Sequence, residues 1–263
     1  MSFIVTCYYF TNAGKGRENN EDSLLIDDFV VSDISMSKSE KKEFQGNRHF
    51  FCIADGIGGQ KKGEEASNEV LSFLLRNIWT NGDLSNLSDL ITRAKFYLND
   101  LVAKNPDLIN FGATIAGVGI VDTNLIILNS GDSRVYRLNE VFFERITRDH
   151  SIVEELFSEG LIKEDEMRVH PQKNVITSAI IGDGSEDSPN VNVRIFPIRH
   201  EDVLFICTDG IWESLPINYI EQIYIENGFD NFADAILSAC LSGKSPDNIS
   251  LIGLRISENE VTV

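Results

Sequence analysis

Several patterns are missing from this sequence, and each absence excludes a class of protein. Its four cysteines, Cys7, Cys52, Cys207 and Cys240, form no C-x-x-C pair, and no H-x-H or H-E-x-x-H spacing accompanies them, which excludes a zinc site. Cys52 and Cys207 stand inside apolar runs, as small buried hydrophobes do. Proline (6) and glycine (19) form no tracts, so neither a fibrous nor a disordered chain fits. No stretch reaches the roughly 18 apolar residues that a membrane span needs, and the N-terminal segment lacks a basic start followed by an apolar core. Positive charge is also scarce. Lys plus Arg number 23 against 41 Asp plus Glu, a net charge of −18 that repels nucleic acid and anionic membrane surfaces. A reduced, cytoplasmic protein is expected.

What remains is the balance of an ordinary globular domain, with 42% hydrophobic and 24% charged residues over 263 positions. No repeat or linker-like shift divides the chain, so residues 1–263 are expected to form a single domain. Strand-length apolar runs cover Phe3–Phe10, Leu24–Asp28, His49–Ala54, Thr114–Val121, Leu125–Asn129, Val135–Leu138, Val141–Arg145, Val191–Pro197, Val203–Cys207 and Ile249–Ile256. Asp122–Thr123–Asn124 between two of them predicts a hairpin turn. Helical spacing predicts Glu64–Asn77, Leu87–Val102 (with Ser88 as N-cap), Ser151–Glu159 (with a Ser151/Glu154 capping box), Ile217–Glu226 and Asn231–Ser242. Strands come in blocks with helices in pairs between them. That order argues for an α+β fold of antiparallel sheets with helices packed outside. The polar stretch 32–48 is expected to be a loop.

Four aspartates stand at the ends of apolar runs, in Ala54–Asp55–Gly56, Gly131–Asp132–Ser133, Thr208–Asp209–Gly210 and Pro246–Asp247–Asn248. Any one alone reads as a turn residue. If the strand ends converge, however, uncompensated anions would crowd one rim at heavy electrostatic cost. Hard divalent cations with oxygen ligands, Mg²⁺ or Mn²⁺, would remove that cost. Near the N-terminus, Arg17 precedes the acidic pair Glu21–Asp22. By itself Arg17 reads as one half of a surface ion pair. Beside a metal cluster its guanidinium would match phosphate oxygens, with the acidic pair holding metal-bound water.

Other phosphate chemistries fail on spacing. A cysteine phosphatase needs Arg six positions after its nucleophile, where this chain has Ala13, Gly58, Glu213 and Pro246. No DxDxT, P-loop or GxSxG motif occurs, and Gly56–Ile57–Gly58–Gly59 lacks the third glycine of a dinucleotide fingerprint.

Taken in order, the motifs resemble those of the metal-dependent Ser/Thr protein phosphatases of type 2C, the bacterial-type PPM family. They are Arg17–x–x–Asn20–Glu21–Asp22, FFCIADGIGGQKKGEEAS (50–67), Gly112–Ala113–Thr114, GDSRVYRL (131–138), ITRDHS (146–151), NVITSAIIG (174–182), EDVLFICTDGIW (201–212) and SPDNISLI (245–252). The resemblance implies an αββα sandwich of two mainly antiparallel sheets flanked by helix pairs. It implies two or three Mn²⁺ or Mg²⁺ ions, with Asp55 bridging two of them and Asp209 and Asp247 completing the first. The Gly56 carbonyl would ligate the second, Glu21 and Asp22 would act through bound water, and Asp132 with Asp209 would match a third site. Asp55 and Asp209 would then carry catalysis and Arg17 would bind the substrate phosphate. The implied reaction is hydrolysis of phosphoserine and phosphothreonine monoesters by a hydroxide bridging two cations, on phosphoproteins made by a Ser/Thr kinase.

Two positions depart from the family pattern. Ile57 replaces the histidine that some members carry after Asp-Gly, so no general acid is assigned, and His150 and His170 stand as default candidates beside a packed or surface reading. Ser178 replaces an arginine common in bacterial members. The charged region 151–173 corresponds to the family's flap, although an ordinary surface helix pair would look similar. A catalytically silent scaffold that keeps the fold and binds phosphoproteins or a regulator is the alternative; lost carboxylates would mark it, and all are present.

Overall fold

Alternation of apolar side chains along the strands decides the layering, as seen in a computed structural model that describes residues 2–57, 62–80, 84, 86–243 and 245–259. Along Arg48–Ile57, Phe51 and Ile53 join one core cluster while Phe50, Cys52 and Ala54 join another. A strand with period two thus feeds two apolar layers at once. The first layer fills the space between two sheets, and the second lies under a helix pair.

The strands are β1 (Phe3–Asn12), β2 (Asp22–Ile26), β3 (Phe29–Val31), β4 (Glu40–Gly46), β5 (Arg48–Ile57), β6 (Phe111–Val121), β7 (Asn124–Ser130), β8 (Arg134–Asn139), β9 (Phe142–Arg145), β10 (Ile180–Gly182), β11 (Asn192–Pro197), β12 (Asp202–Cys207) and β13 (Ile249–Glu258). One sheet runs β4-β1-β13-β12-β8-β9 and the other β11-β7-β6-β5-β2-β3, with β10 paired to β6. Every pairing between them is antiparallel. Helices α1 (Lys62–Asn77) and α2 (Leu87–Lys104) cover the second sheet. Two short helices, α3 (Ile152–Ser158) and α4 (Glu164–Met167), belong to the 151–173 region. A single turn, α5 (Asp209–Trp212), and α6 (Ile217–Gly243) accompany the first sheet. The result is the expected αββα sandwich. Among the described residues no helix is long and apolar enough to cross a membrane.

Local departures from expectation have local causes. The stretch 32–48 is not all loop, since Glu40–Gly46 forms edge strand β4 on β1, from Tyr9↔Glu40 to Phe3↔Gly46. Its Lys41, Lys42 and Glu43 are exposed, and an edge strand held by backbone bonds shows no apolar alternation to read. The two expected C-terminal helices form within α6, separated at Gly228, whose φ of 65° and ψ of 175° break the helix. Asn86, not Ser88, is the cap position of α2, and its side chain makes no capping bond. Ser151 does cap α3 by accepting from the Glu154 N–H, but the Glu154 carboxylate turns to Arg145 rather than back to the cap. Short elements β3, β10, α4 and α5 carry too few residues for a period to emerge from sequence.

Buried ion pairs pin the first sheet. Arg137 clasps Asp202 with Nε at 2.8 Å and an NH2 bond at 2.5 Å, and its NH2 also donates to the Pro197 carbonyl at 2.9 Å. Asp202→Ala would leave that guanidinium buried without a counter-charge, at a cost of about 3–5 kcal/mol. Urea unfolding of the variant is expected to show a loss of this size; a loss below ~1 kcal/mol would mean that the pair is dispensable.

Candidate active site

The inter-sheet layer ends in charge. Continuing the alternation of β5 from Phe51 and Ile53 places Asp55 on the face turned toward the opposite sheet. In β2, Leu24 and Ile26 lie on that same face, and the next position outward is Asp22. Asp22 and Asp55 are direct cross-strand partners in the β2–β5 ladder. Like charges directly opposite on one face of a sheet repel. Asp55 is therefore no hairpin residue, since it sits within β5 and pairs on its other side with Thr114 of β6.

Other elements deliver further carboxylates to this rim. Asp209 opens α5 directly after β12, Asp247 lies in the bend before β13, and Asp132 occupies the bend between β7 and β8. Their mutual influence registers in their proton affinities. Asp55 is pushed well above the ordinary 3.8, first by burial and then by Asp22, Asp209, Asp132 and Asp247. Asp209 is raised likewise, by burial and then by Asp132, Asp247, Glu213 and Asp22. Burial drives Asp132 up to about 7, with Asp149 adding to the shift and Arg134 opposing it. Asp22 also reaches about 7 through burial, against the pull of bonds from Ser250 and Thr208.

Hydroxyls organise the buried member. Asp22 Oδ2 accepts from Ser250 Oγ at 2.6 Å and from Thr208 Oγ1 at 2.9 Å. Ser250 Oγ meets Thr11 Oγ1 at 2.8 Å, and Asn20 Nδ2 donates to that Thr11 oxygen at 2.6 Å. Asp22 Oδ1, in contrast, is buried with no hydrogen-bond partner. An orphaned carboxylate oxygen among repelling neighbours calls for a cation or its bound water.

Glu21 and Gly56 come together through close backbone packing. The Gly56 N–H donates to the Glu21 carbonyl at 3.1 Å. A Cβ on Gly56 would stand 2.1 Å from the Gly63 carbonyl oxygen, so only glycine fits between β2 and the start of α1. The Glu21 carboxylate lies against Gly63 as well, and burial raises its pKa. Arg17 NH2 donates to Asp247 Oδ2 at 3.0 Å, with the Arg17 side chain 49% exposed at the rim. Its pKa is raised, chiefly by that bond, with Glu21 and Asp55 adding to it.

Asn248 was not singled out by its chemistry, yet it splices the site together. Its Oδ1 accepts from the Glu21 N–H at 2.8 Å, while Nδ2 donates to the carbonyls of Ala13 at 3.1 Å and Asn19 at 2.9 Å. Thr208 and Ser250 were visible only as neighbours of the motif aspartates. Trp212 donates from Nε1 to the Asp132 carbonyl at 3.0 Å, and the Arg134 guanidinium lies 3.5 Å from the centre of its ring. Ring stacking of this kind cannot be seen in a linear pattern.

Both candidate histidines are held by local hydrogen bonds. His150 Nδ1 accepts from the Gly131 N–H at 3.1 Å and burial lowers its pKa, while His170 Nδ1 accepts from the Gln172 N–H at 3.2 Å. Ser178 Oγ rests against Ser130 Oγ at 3.2 Å. Within 151–173, Arg168 NH2 donates to the Glu213 carbonyl at 2.8 Å and Lys173 pairs with the Glu213 carboxylate, so this region is tied to the segment just after Asp209.

Among the described residues, no three acidic, histidine or cysteine side chains form a ready-made cage for a metal. The donor set still fits hard cations. It is all oxygen, mutually repelling, raised in pKa, and includes the orphaned Asp22 Oδ1. Waters would complete such a shell.

The raised carboxylates set a pH dependence. Folded Asp22 and Asp132 titrate at about 7 against an ordinary 3.8, so between these values the folded state holds more protons than the unfolded state. Stability in chelator should therefore be greatest at low pH and fall as pH rises through 7. Thermal unfolding is expected to show a midpoint lower by ~5 °C or more at pH 8 than at pH 5.5, with Mn²⁺ or Mg²⁺ abolishing the fall. A midpoint in chelator that holds level or climbs over this range would contradict the electrostatic reading of the rim.

Comparison with known proteins agrees with this architecture. A protein phosphatase 2C family model matches residues 15–156. The chain is 30% identical to a putative protein phosphatase 2C-type of Streptococcus pyogenes, covering 81% of each chain. It is 27% identical to the serine/threonine phosphatase stp of Listeria monocytogenes, covering 92% of each. The crystal structure of serine/threonine phosphatase Stp1 from Staphylococcus aureus superposes with a TM-score of 0.80 at 26% identity, over 96% of this chain and 95% of that one. With more than half of its length matched by the family model, the chain belongs to the protein phosphatase 2C family.

Proposed function

We propose that this chain is a metal-dependent phosphatase of phosphoserine and phosphothreonine in proteins, the products of a Ser/Thr kinase. The observation that supports it most is the convergence of Asp22, Asp55, Asp132, Asp209 and Asp247 into one electrostatically coupled rim beside a half-exposed arginine. Mn²⁺ or Mg²⁺ bound there would activate water as the nucleophile and offset charge on the phosphate oxygens.

The residues divide the work by their positions. Asp55, Asp209 and Asp247 would supply direct ligands, with the Gly56 carbonyl beside Asp55, and Asp132 with Asp209 would offer a third position. Glu21 and Asp22 would act through metal-bound water, Asp22 being held by Thr208 and Ser250. Arg17, at the outer edge and paired with Asp247, would offer its guanidinium fork to the phosphate. No protein nucleophile is required. All four cysteines are free but buried, and burial raises the thiol pKa of each, so no thiolate faces the rim.

Phosphothreonine, phosphoserine and phosphotyrosine peptides assayed with Mn²⁺, with Mg²⁺ and with chelator test the proposal. Turnover of the first two is expected with metal and none in chelator. Asp209→Asn is expected to lower kcat by about a thousandfold or more, since it removes charge from the coupled rim. Wild-type turnover in this variant would place the chemistry elsewhere.

Arg17 grips phosphate equally in ground and transition states, so its loss appears mainly in KM. Arg17→Ala should raise KM for a phosphopeptide about tenfold with a smaller change in kcat. An unchanged KM would leave Arg17 as a surface ion pair only.

A further inference from the structure

A second opening lies on the flank of the sandwich. There β11, the edge of one sheet, faces the end of β9, the edge of the other, and the segment 146–148 that follows it. The cavity measures about 510 Å³, and its polar lining includes Asn129, Arg145, Thr147, Arg148, Asn192 and Arg194. Register places Arg194 opposite Ile127 and Asn192 opposite Asn129, on the inter-sheet face where Ile127 joins the core. At this margin polar residues take the inter-sheet positions.

The charge balance of this groove runs against that of the molecule. Asp149 is held by Arg134, at 2.6 Å, and approached by Arg145 at 3.5 Å. Glu154 is paired with Arg145 at 3.0 Å, and Arg148 reaches it only at 3.7 Å with its side chain 62% exposed. Arg194 donates one bond, NH1 to the Ile146 carbonyl at 2.8 Å, and packs its guanidinium on Phe196 at 4.9 Å. Among the described residues it meets no carboxylate within ion-pair distance. Three guanidinium groups, those of Arg145, Arg148 and Arg194, thus line the groove with no carboxylate among its lining residues, on a chain whose net charge is −18, and Arg145 is engaged by Asp149 and Glu154 behind it. Arg148 and Arg194 carry the surplus, with donor N–H groups left over.

The groove adjoins the acidic rim. Asn129 Nδ2 donates to the Arg148 carbonyl at 2.8 Å and to the Gly131 carbonyl at 3.3 Å. The His150 N–H donates to Gly131 as well, at 2.8 Å. Gly131 immediately precedes Asp132. Asn129, which lines the groove, thus ties the backbone at Arg148 to Gly131, the residue before Asp132.

We propose that this groove docks acidic residues flanking the phosphoresidue of a protein substrate, with Arg148 and Arg194 as their contacts. The proposal rests on the phosphatase reading and adds a substrate preference to it. Such a substrate is repelled by the overall field, so a local cationic strip beside the site would orient it as well as hold it.

Two phosphothreonine peptides, one with Asp and Glu flanks and one with Ala and Ser flanks, test this alongside a small aryl phosphate. Wild type is expected to show a KM about tenfold lower for the acidic peptide, an advantage that fades in 1 M NaCl. The R148Q/R194Q double variant should treat both peptides alike while keeping wild-type kcat/KM on the aryl phosphate. Because Arg194 also braces Ile146, R148E provides a second reading at an exposed side chain, and should favour the neutral peptide. Equal KM values in wild type, or a preference retained by R148Q/R194Q, would overturn the proposal. If no substrate, aryl phosphate included, turned over with Mn²⁺, the phosphatase reading would fail instead. Fluorescence anisotropy with the same peptides would still decide the groove: tighter binding of the acidic one, lost in R148Q/R194Q, supports it, and equal binding refutes it.

Discussion

Two aspartates face each other across neighbouring strands at the open end of a sandwich, and much of the molecule is arranged around that repulsion. Asp22 and Asp55 are register partners on the inter-sheet face. An isolated pair of this kind would be removed by protonation or by strand slippage. Here slippage is blocked, because shifting β5 by one residue would carry Phe51 and Ile53 out of the inter-sheet core. The apolar register thus holds the carboxylates in place, and their raised proton affinity measures what the packing imposes on them. The same strain makes the rim receptive to divalent cations.

Around this pair the support is graded by distance. Thr208 and Ser250 bond Asp22 directly, Thr11 holds Ser250 and is itself held by Asn20, and Asn248 ties Glu21 to the carbonyls of Ala13 and Asn19. Each of these residues comes from a different element than the group it serves. Gly56 and Gly210 let those elements touch, since a Cβ on Gly210 would lie 1.9 Å from the Asn248 carbonyl oxygen. Preorganisation of this kind leaves little rearrangement for a bound cation to induce.

A second network joins Asp132 to the 151–173 region. Arg134 forks onto buried Asp149 and stacks on Trp212, which holds the Asp132 carbonyl. Glu213, next to Trp212, binds Arg168 and Lys173. A displacement of 151–173 therefore bears on α5, which Asp209 opens, and through Trp212 on the bend at Asp132. Arg145 and Arg148 extend the same charge system through Glu154 to the flank groove.

Sequence alone determined most of the strands and the main helices, the antiparallel α+β layering and the identity of the rim carboxylates. These are written in local periodicity and in short motifs whose residues sit next to one another. It also ruled out thiol chemistry through spacing, and burial of all four cysteines agrees with that. Tertiary structure decided the rest. Edge strand β4 draws its order from the backbone of β1, so its exposed charged residues left nothing periodic to read. The orphaned oxygen of Asp22, the splice made by Asn248 and the stacking of Arg134 on Trp212 join residues far apart in the chain, as do Arg148 and Arg194 across the flank. Which charges go uncompensated depends on which strands become neighbours, and that is set by packing rather than by any local run of residues.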